Sequence, residues 1–163
     1  MKSFFRCLIV IFLVFLFGCQ KQQQTLTEAE KEAVKKEVKE QFNKLVSALN
    51  QKNAEEWSEN YSKDEFLSAI VSTDYYATRS AWVDLIKNYF SQRERQKVES
   101  VEVRVTALTP DLALMTSEEK SEMWLTGGKD IKSKHVFTMI WKKEQGGWKI
   151  LHSHESWIDE QIN

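Results

Sequence analysis

After Lys97 the apolar residues of this chain recur at every second position, and that period sets what the fold can be. Val101, Val103, Val105 and Ala107 alternate with Glu102, Arg104 and Thr106, the pattern of a strand with one face buried. Thr109-Pro110-Asp111 turns the chain, Leu112 to Leu125 returns, and Gly127-Gly128 marks the next turn. His135 to Glu144 reads as a further strand, and Gln145-Gly146-Gly147 opens a last hairpin. Four long strands joined by tight turns pair as an antiparallel meander, and its apolar face needs a cover.

The cover lies upstream. Thr27 with Glu30 three positions later is a capping-box pattern, which satisfies backbone donors that a first helical turn leaves unpaired. Val34, Val38, Phe42, Leu45, Val46 and Leu49 then follow at helical spacing. The opposite face is rich in Lys and Glu, with Glu32–Lys36 and Glu40–Lys44 four apart. Such pairs support an exposed helix by about 0.2–0.5 kcal/mol each, so the charge run reads as a solvated face. Asn53 caps a short second helix through Tyr61, Phe66 to Val71 reads as a short strand, and Asp74 to Thr78 as a loop. Trp82, Leu85, Ile86, Tyr89 and Phe90 form the stripe of a third helix, with Thr78 or Ser80 as its cap. Helices first and strands afterwards make an α+β domain with its helices on one face of the sheet.

Residues 1–18 stand apart from this pattern. Lys2 and Arg6 precede an apolar run from Cys7 to Phe17 that is shorter than the roughly 20 residues a bilayer span needs. A charged start followed by such a run is an export signal. Leu16-Phe17-Gly18-Cys19 resembles the bacterial lipobox, in which cleavage precedes the cysteine and its thiol is acylated. The expectation is a signal peptide over 1–18, a lipidated Cys19 with a polar tether over 19–26, and a single domain over 27–163. Two or more acyl chains would then anchor the protein stably to a bacterial envelope. Cleavage leaves Cys19 as the only cysteine, so no internal disulfide forms. Removing Lys2 and Arg6 from 23 basic residues against 24 acidic ones leaves a net charge of about −3, which invites no nucleic acid.

The order of elements and the last strands resemble the nuclear transport factor 2-like superfamily, within it the SnoaL-like proteins and, more loosely, the association domain of calcium/calmodulin-dependent protein kinase II. The residues that carry this are Val136-Phe137-Thr138, Trp141, Gly147-Trp148-Lys149-Ile150 and His152-Ser153-His154-Glu155-Ser156. Asn53-Ala54 through Tyr61 and Thr78-Arg79 add to it. The resemblance implies a cone: three N-terminal helices packed in the concave face of a strongly curved, mainly antiparallel sheet, with a pocket inside. It also implies dimers formed through the outer sheet face. Trp141, Leu151 and Trp157 share the face opposite His152 and His154, so both faces carry large apolar groups. Related proteins often carry arginine where this chain has Val136, which removes one anion contact from the pocket wall.

Two of three histidines stand one residue apart in the final strand. Alternation puts Trp148, Ile150, His152, His154 and Ser156 on the cavity face, with Ile140 opposite His152, Thr138 opposite His154, and His135 pointing away. A slip of one residue would reverse this. Zinc needs three or four ligands and this strand supplies two, so neither metal nor cofactor is expected. Acid–base work would need a carboxylate from elsewhere, Asp74 or Glu118, acting with His154. Otherwise His152, His154, Thr138, Tyr75, Tyr76, Arg79 and the rim residue Trp124 line a binding site. The leading expectation is a non-catalytic, dimeric domain that binds a small, partly apolar molecule. The alternatives are an isomerase, cyclase or dehydratase, and an interaction or assembly module.

Overall fold

The computed structural model describes residues 25–160 of the chain. The expected signal segment, Cys19 and most of the tether lie outside these described residues. Helix α1 spans Glu28–Gln51 and begins at the expected box: the Thr27 side chain accepts from the Glu30 N–H, and the Glu30 carboxylate accepts from the Thr27 N–H at 2.8 Å. Val34, Val38, Phe42, Leu45 and Ala48 form its buried stripe. Burying a side chain such as Phe42 or Leu45 is worth about 1.5–3 kcal/mol, which is what holds the helix to the sheet. On the wet face Glu32 pairs with Lys35, one position nearer than the Lys36 expected. Among the described residues no helix is long and apolar enough to cross a membrane.

Asn53 caps α2, Ala54–Ser58, and Thr78 caps α3, Arg79–Ser91, whose Trp82, Val83, Ile86 and Phe90 are buried. Between them the sequence folds as a hairpin of β1, Ser68–Val71, and β2, Asp74–Tyr76, where a loop was expected after the strand. Ser72 makes the turn at φ +53° without a glycine or asparagine to announce it, and its N–H is held by the Glu155 carbonyl at 2.8 Å.

The meander follows as β3, Arg93–Thr109; β4, Leu112–Leu125; β5, Asp130–Glu144; and β6, Gly147–Glu160. The six strands form one curved sheet in the order β2-β1-β6-β5-β4-β3, antiparallel except where β1 runs parallel to β6. Bulges near Ser100/Glu102 and Ala107/Thr109 bend β3 around the helices. The deepest core is Phe42, Leu45, Met115, Met139, Trp141 and Ile150.

The β5–β6 ladder contains the feature that decides the site. Glu144 pairs with Gly147, so the turn holds two residues, with Gly146 at φ +103° and Gly147 at φ +114°. Trp141 then pairs with Ile150 and Ile140 with His152, which leaves Leu151 as an extra residue in a bulge. The shorter turn and the extra residue cancel, so His152 does face Ile140 and His154 does face Thr138. The faces, however, are reversed. Trp148 and Ile150 point inward, and beyond Leu151 the inward residues are Ser153, Glu155, Trp157 and Asp159.

Candidate functional site

A cavity of about 240 Å³ lies between α1, α3 and the concave face of the sheet. Its walls are mostly aromatic and aliphatic. Trp57 packs on Tyr61 with ring centroids 4.7 Å apart and meets Trp82 edge-on at 5.5 Å. Tyr89 meets Trp157 edge-on at 6.4 Å near the sheet side.

A stripe of polar groups crosses the inner face of β4, β5 and β6, and Arg93 and Gln96 add to it from β3. Cross-strand pairing sets Glu119 beside His135 and His135 beside Trp157, with Ser121 beside Ser133 and Ser133 beside Asp159. Diagonal neighbours are also within reach of long side chains. His135 Nδ1 lies 2.7 Å from Glu155 Oε1, and its Nε2 lies 2.7 Å from Ser121 Oγ. A carboxylate only accepts, so Nδ1 carries the hydrogen and Nε2 accepts from the Ser121 hydroxyl. Phe137 stacks against the imidazole at 6.1 Å and Trp157 closes its other side at 5.9 Å. The Ser133 hydroxyl donates to Asp159 Oδ1 at 2.6 Å.

Glu119 is 1% exposed and accepts from the Ser117 hydroxyl at 3.2 Å. Burial pushes its carboxyl up to about 7, and the nearby Glu155 charge adds to this, against the Ser117 hydrogen bond and His135. Burial likewise pushes the Tyr61 phenol up; that phenol donates to Ser153 Oγ at 3.4 Å. Arg93 reaches the wall from the start of β3, where its guanidinium donates to Gln96 Oε1 at 2.6 Å and lies over the Tyr89 ring. Burial lowers its pKa, opposed by Glu155. The Trp82 indole N–H is buried without a hydrogen-bond partner among the described residues. No group of three or more His, Cys, Asp or Glu side chains among the described residues is placed to hold a metal ion.

None of the residues expected to meet a ligand lines this cavity. His152 and His154 stand on the outer face because the Leu151 bulge inverts the phase of β6, and Thr138 because it alternates with the inward Phe137 and Met139 of β5. There the Ser68 hydroxyl holds His152 Nδ1 at 2.8 Å, and His154 is exposed. Tyr75 is exposed in the β1–β2 hairpin, and Tyr76 packs behind Trp82 at 5.5 Å. Arg79 donates to the Ser58 carbonyl at 2.7 Å and ties α3 to α2, while Trp124 lies under the Arg95 guanidinium at 3.7 Å. Asp74 and Glu118 are exposed, Glu118 because it alternates with the inward Glu119. The histidine that faces the cavity is His135, and the carboxylates are Glu119, Glu155 and Asp159. Trp141 and Trp157 also change sides: one is core and the other cavity wall, so neither forms an outer apolar face.

The profile of the family described as SnoaL-like domain matches residues 38–160. Among curated proteins none matches. Among solved structures, a protein assigned as a scytalone dehydratase from Novosphingobium aromaticivorans superposes with a TM-score of 0.74 at 10% identity, over 84% of this chain and 94% of that one. Hexachlorocyclohexane dehydrochlorinase LinA-type3 from Novosphingobium barchaimii gives 0.68 at 11%, over 84% and 97%. A nuclear transport factor 2-like superfamily protein from Salmonella enterica serovar Typhimurium gives 0.70 at 13%, over 81% and 95%. At such identities the likeness is one of fold, and it agrees with the six-stranded curved sheet and its helices.

Proposed function

This chain belongs to the SnoaL-like domain family, and on that footing we propose that it captures a small, largely apolar molecule inside the cone. The observation that carries this is the cavity itself: about 240 Å³ with aromatic walls and one polar stripe. Drug-sized sites run to roughly 300–1,000 Å³, so the occupant is smaller than these. Native mass spectrometry of the full-length protein purified from its own host tests the reading. The expected result is a bound small molecule lost on denaturation. The reading is wrong if the protein is empty and no fragment perturbs the emission of Trp57, Trp82 and Trp157, which all line the cavity.

A second reading is favoured by one observation, the orientation of His135 by Glu155 on the cavity wall. An imidazole held through Nδ1 presents Nε2 as a base, and a substrate that displaced the Ser121 hydroxyl would surrender a proton to it. Scytalone dehydratase and hexachlorocyclohexane dehydrochlorinase are names borne by proteins of similar fold. Turnover of a substrate of either kind that is lost in His135→Ala and kept in His154→Ala would favour this over simple binding.

The N-terminal sequence supports a lipid anchor on Cys19 at a bacterial envelope, tested by incorporation of labelled palmitate and its loss in Cys19→Ala. Exposed Val136 and Ile158 on the outer face, 55% and 67% accessible, support pairing of two copies there in place of the tryptophans first expected. A monomer in sedimentation at high concentration would exclude it.

A further inference from the structure

The cavity places three carboxyl groups, Glu119, Glu155 and Asp159, against one guanidinium, that of Arg93. Among the described residues, those carboxyls lack the lysine partners that several surface acids have. On the surface, Glu28, Glu32, Glu59 and Glu122 each have a lysine nitrogen within 4.0 Å. On the cavity wall, Glu119 is held by a serine hydroxyl and Glu155 by an imidazole, and at the exposed rim Asp159 is held by a second serine hydroxyl. Among the described residues none of the three has a Lys or Arg nitrogen within 4.0 Å, and Arg93 is engaged with Gln96 and the Tyr89 ring. Glu119 is the sharpest case. It is 1% exposed, its Oε1 accepts from Ser117, and its Oε2 takes no hydrogen bond from any described residue. An acid buried without a counter-charge is costly when ionised, and a cation arriving in the cavity removes that cost.

The remaining wall fits the same class of ligand. Trp57, Tyr61, Trp82, Tyr89 and Trp157 present ring faces and edges around the space. Aromatic faces attract a cation through the ring quadrupole, more strongly where water is excluded, and they take up an apolar body as well. An anionic ligand would meet the three carboxyls with only Arg93 to offset them. A neutral one would leave Glu119 as it stands.

We propose that the occupant of this cavity is an organic cation, a protonated amine carried on a compact aromatic or branched aliphatic body, with its ammonium directed at the Glu119–Glu155–Asp159 stripe. This rests on the small-molecule reading above and names its chemical class. Phenethylamine, 2-phenylethanol and phenylacetate share a ring and nearly a length but differ in charge, so they isolate the point. Titration calorimetry and tryptophan emission of the full-length protein in detergent at pH 7.5 are expected to show phenethylamine binding at least about tenfold more tightly than 2-phenylethanol, with phenylacetate weakest. Glu119→Gln keeps the shape, removes the charge, and is expected to erase most of that preference, whereas His154→Ala on the outer face is expected to leave it in place. If the alcohol or phenylacetate binds as tightly as the amine, the cationic assignment is overturned and the pocket reading stands. If none of the three binds and protein from the host carries no small molecule, both fall together.

Discussion

Glu119→Gln also makes the most direct test of the interior as described, with no ligand present. The carboxyl is 1% exposed, and burial raises it from 4.5 to about 7. The unfolded chain gives up this proton near 4.5 while the folded chain keeps it until about 7. Between those values the native state binds more protons, so stability falls as pH rises, by about 1.4 kcal/mol per pH unit. Glu119 therefore contributes fully below pH 4.5, and its loss is complete once pH has passed through 7, a total of about 3 kcal/mol. Glutamine has the same shape and cannot ionise. Urea unfolding of the wild type and the variant from pH 4.5 to 8.5 should give curves that agree within about 1 kcal/mol at the acid end. They should separate as pH rises, with the variant more stable by up to about 3 kcal/mol at pH 8.5. Taking the difference cancels groups that titrate alike in both proteins. A difference that is flat with pH, or a wild type gaining on the variant above pH 7, would refute the burial of Glu119 in the cavity wall.

Other substitutions probe the rest of the frame. His135→Ala removes the donor to Glu155 and the acceptor for Ser121, and should cost about 1–3 kcal/mol in urea unfolding. The same change at exposed His154 should stay within about 0.5 kcal/mol and leave cavity binding intact. Trp141→Ala empties a fully buried core position and should lower stability by about 3–5 kcal/mol. Thr27→Ala breaks the box at the start of α1 and should cost about 1 kcal/mol, read as a lowered thermal midpoint.

What could be read in the sequence was what local rules determine. The capping box of α1, the Trp82–Phe90 stripe with its Thr78 cap, and the succession of hairpins after Lys97 depend on residues near one another, and all appear as expected. So does the pairing of Thr138 with His154, and so does the placing of His135 on the face opposite the other two histidines. What failed was which face is inside. That depends on one surplus residue, and its only trace in the sequence is the apolar pair Ile150-Leu151, which a strictly alternating strand would not bury together. β4 was equally mute. Leu112 and Leu114 look more core-like than Ala113 and Met115, yet the smaller Ala113 and flexible Met115 fill the space beneath α1. Choosing Glu118 over Glu119 follows from the same ambiguity, since both residues are acids and only the phase of β4 against the core distinguishes them.

The kink at Leu151 has a further consequence, because it gives β6 two complete liners for one chamber. Side chains from His152 to Asp159 are sorted, acids and Trp157 to the hollow and imidazoles to the outside, by where a single residue is left over. If that irregularity moved to the free end of the ribbon, the same letters would furnish the interior with His152 and His154 and turn Glu155 and Trp157 outdoors. In this chain the chemistry of a whole wall is thus set by the position of one defect and not only by the residues that perform it.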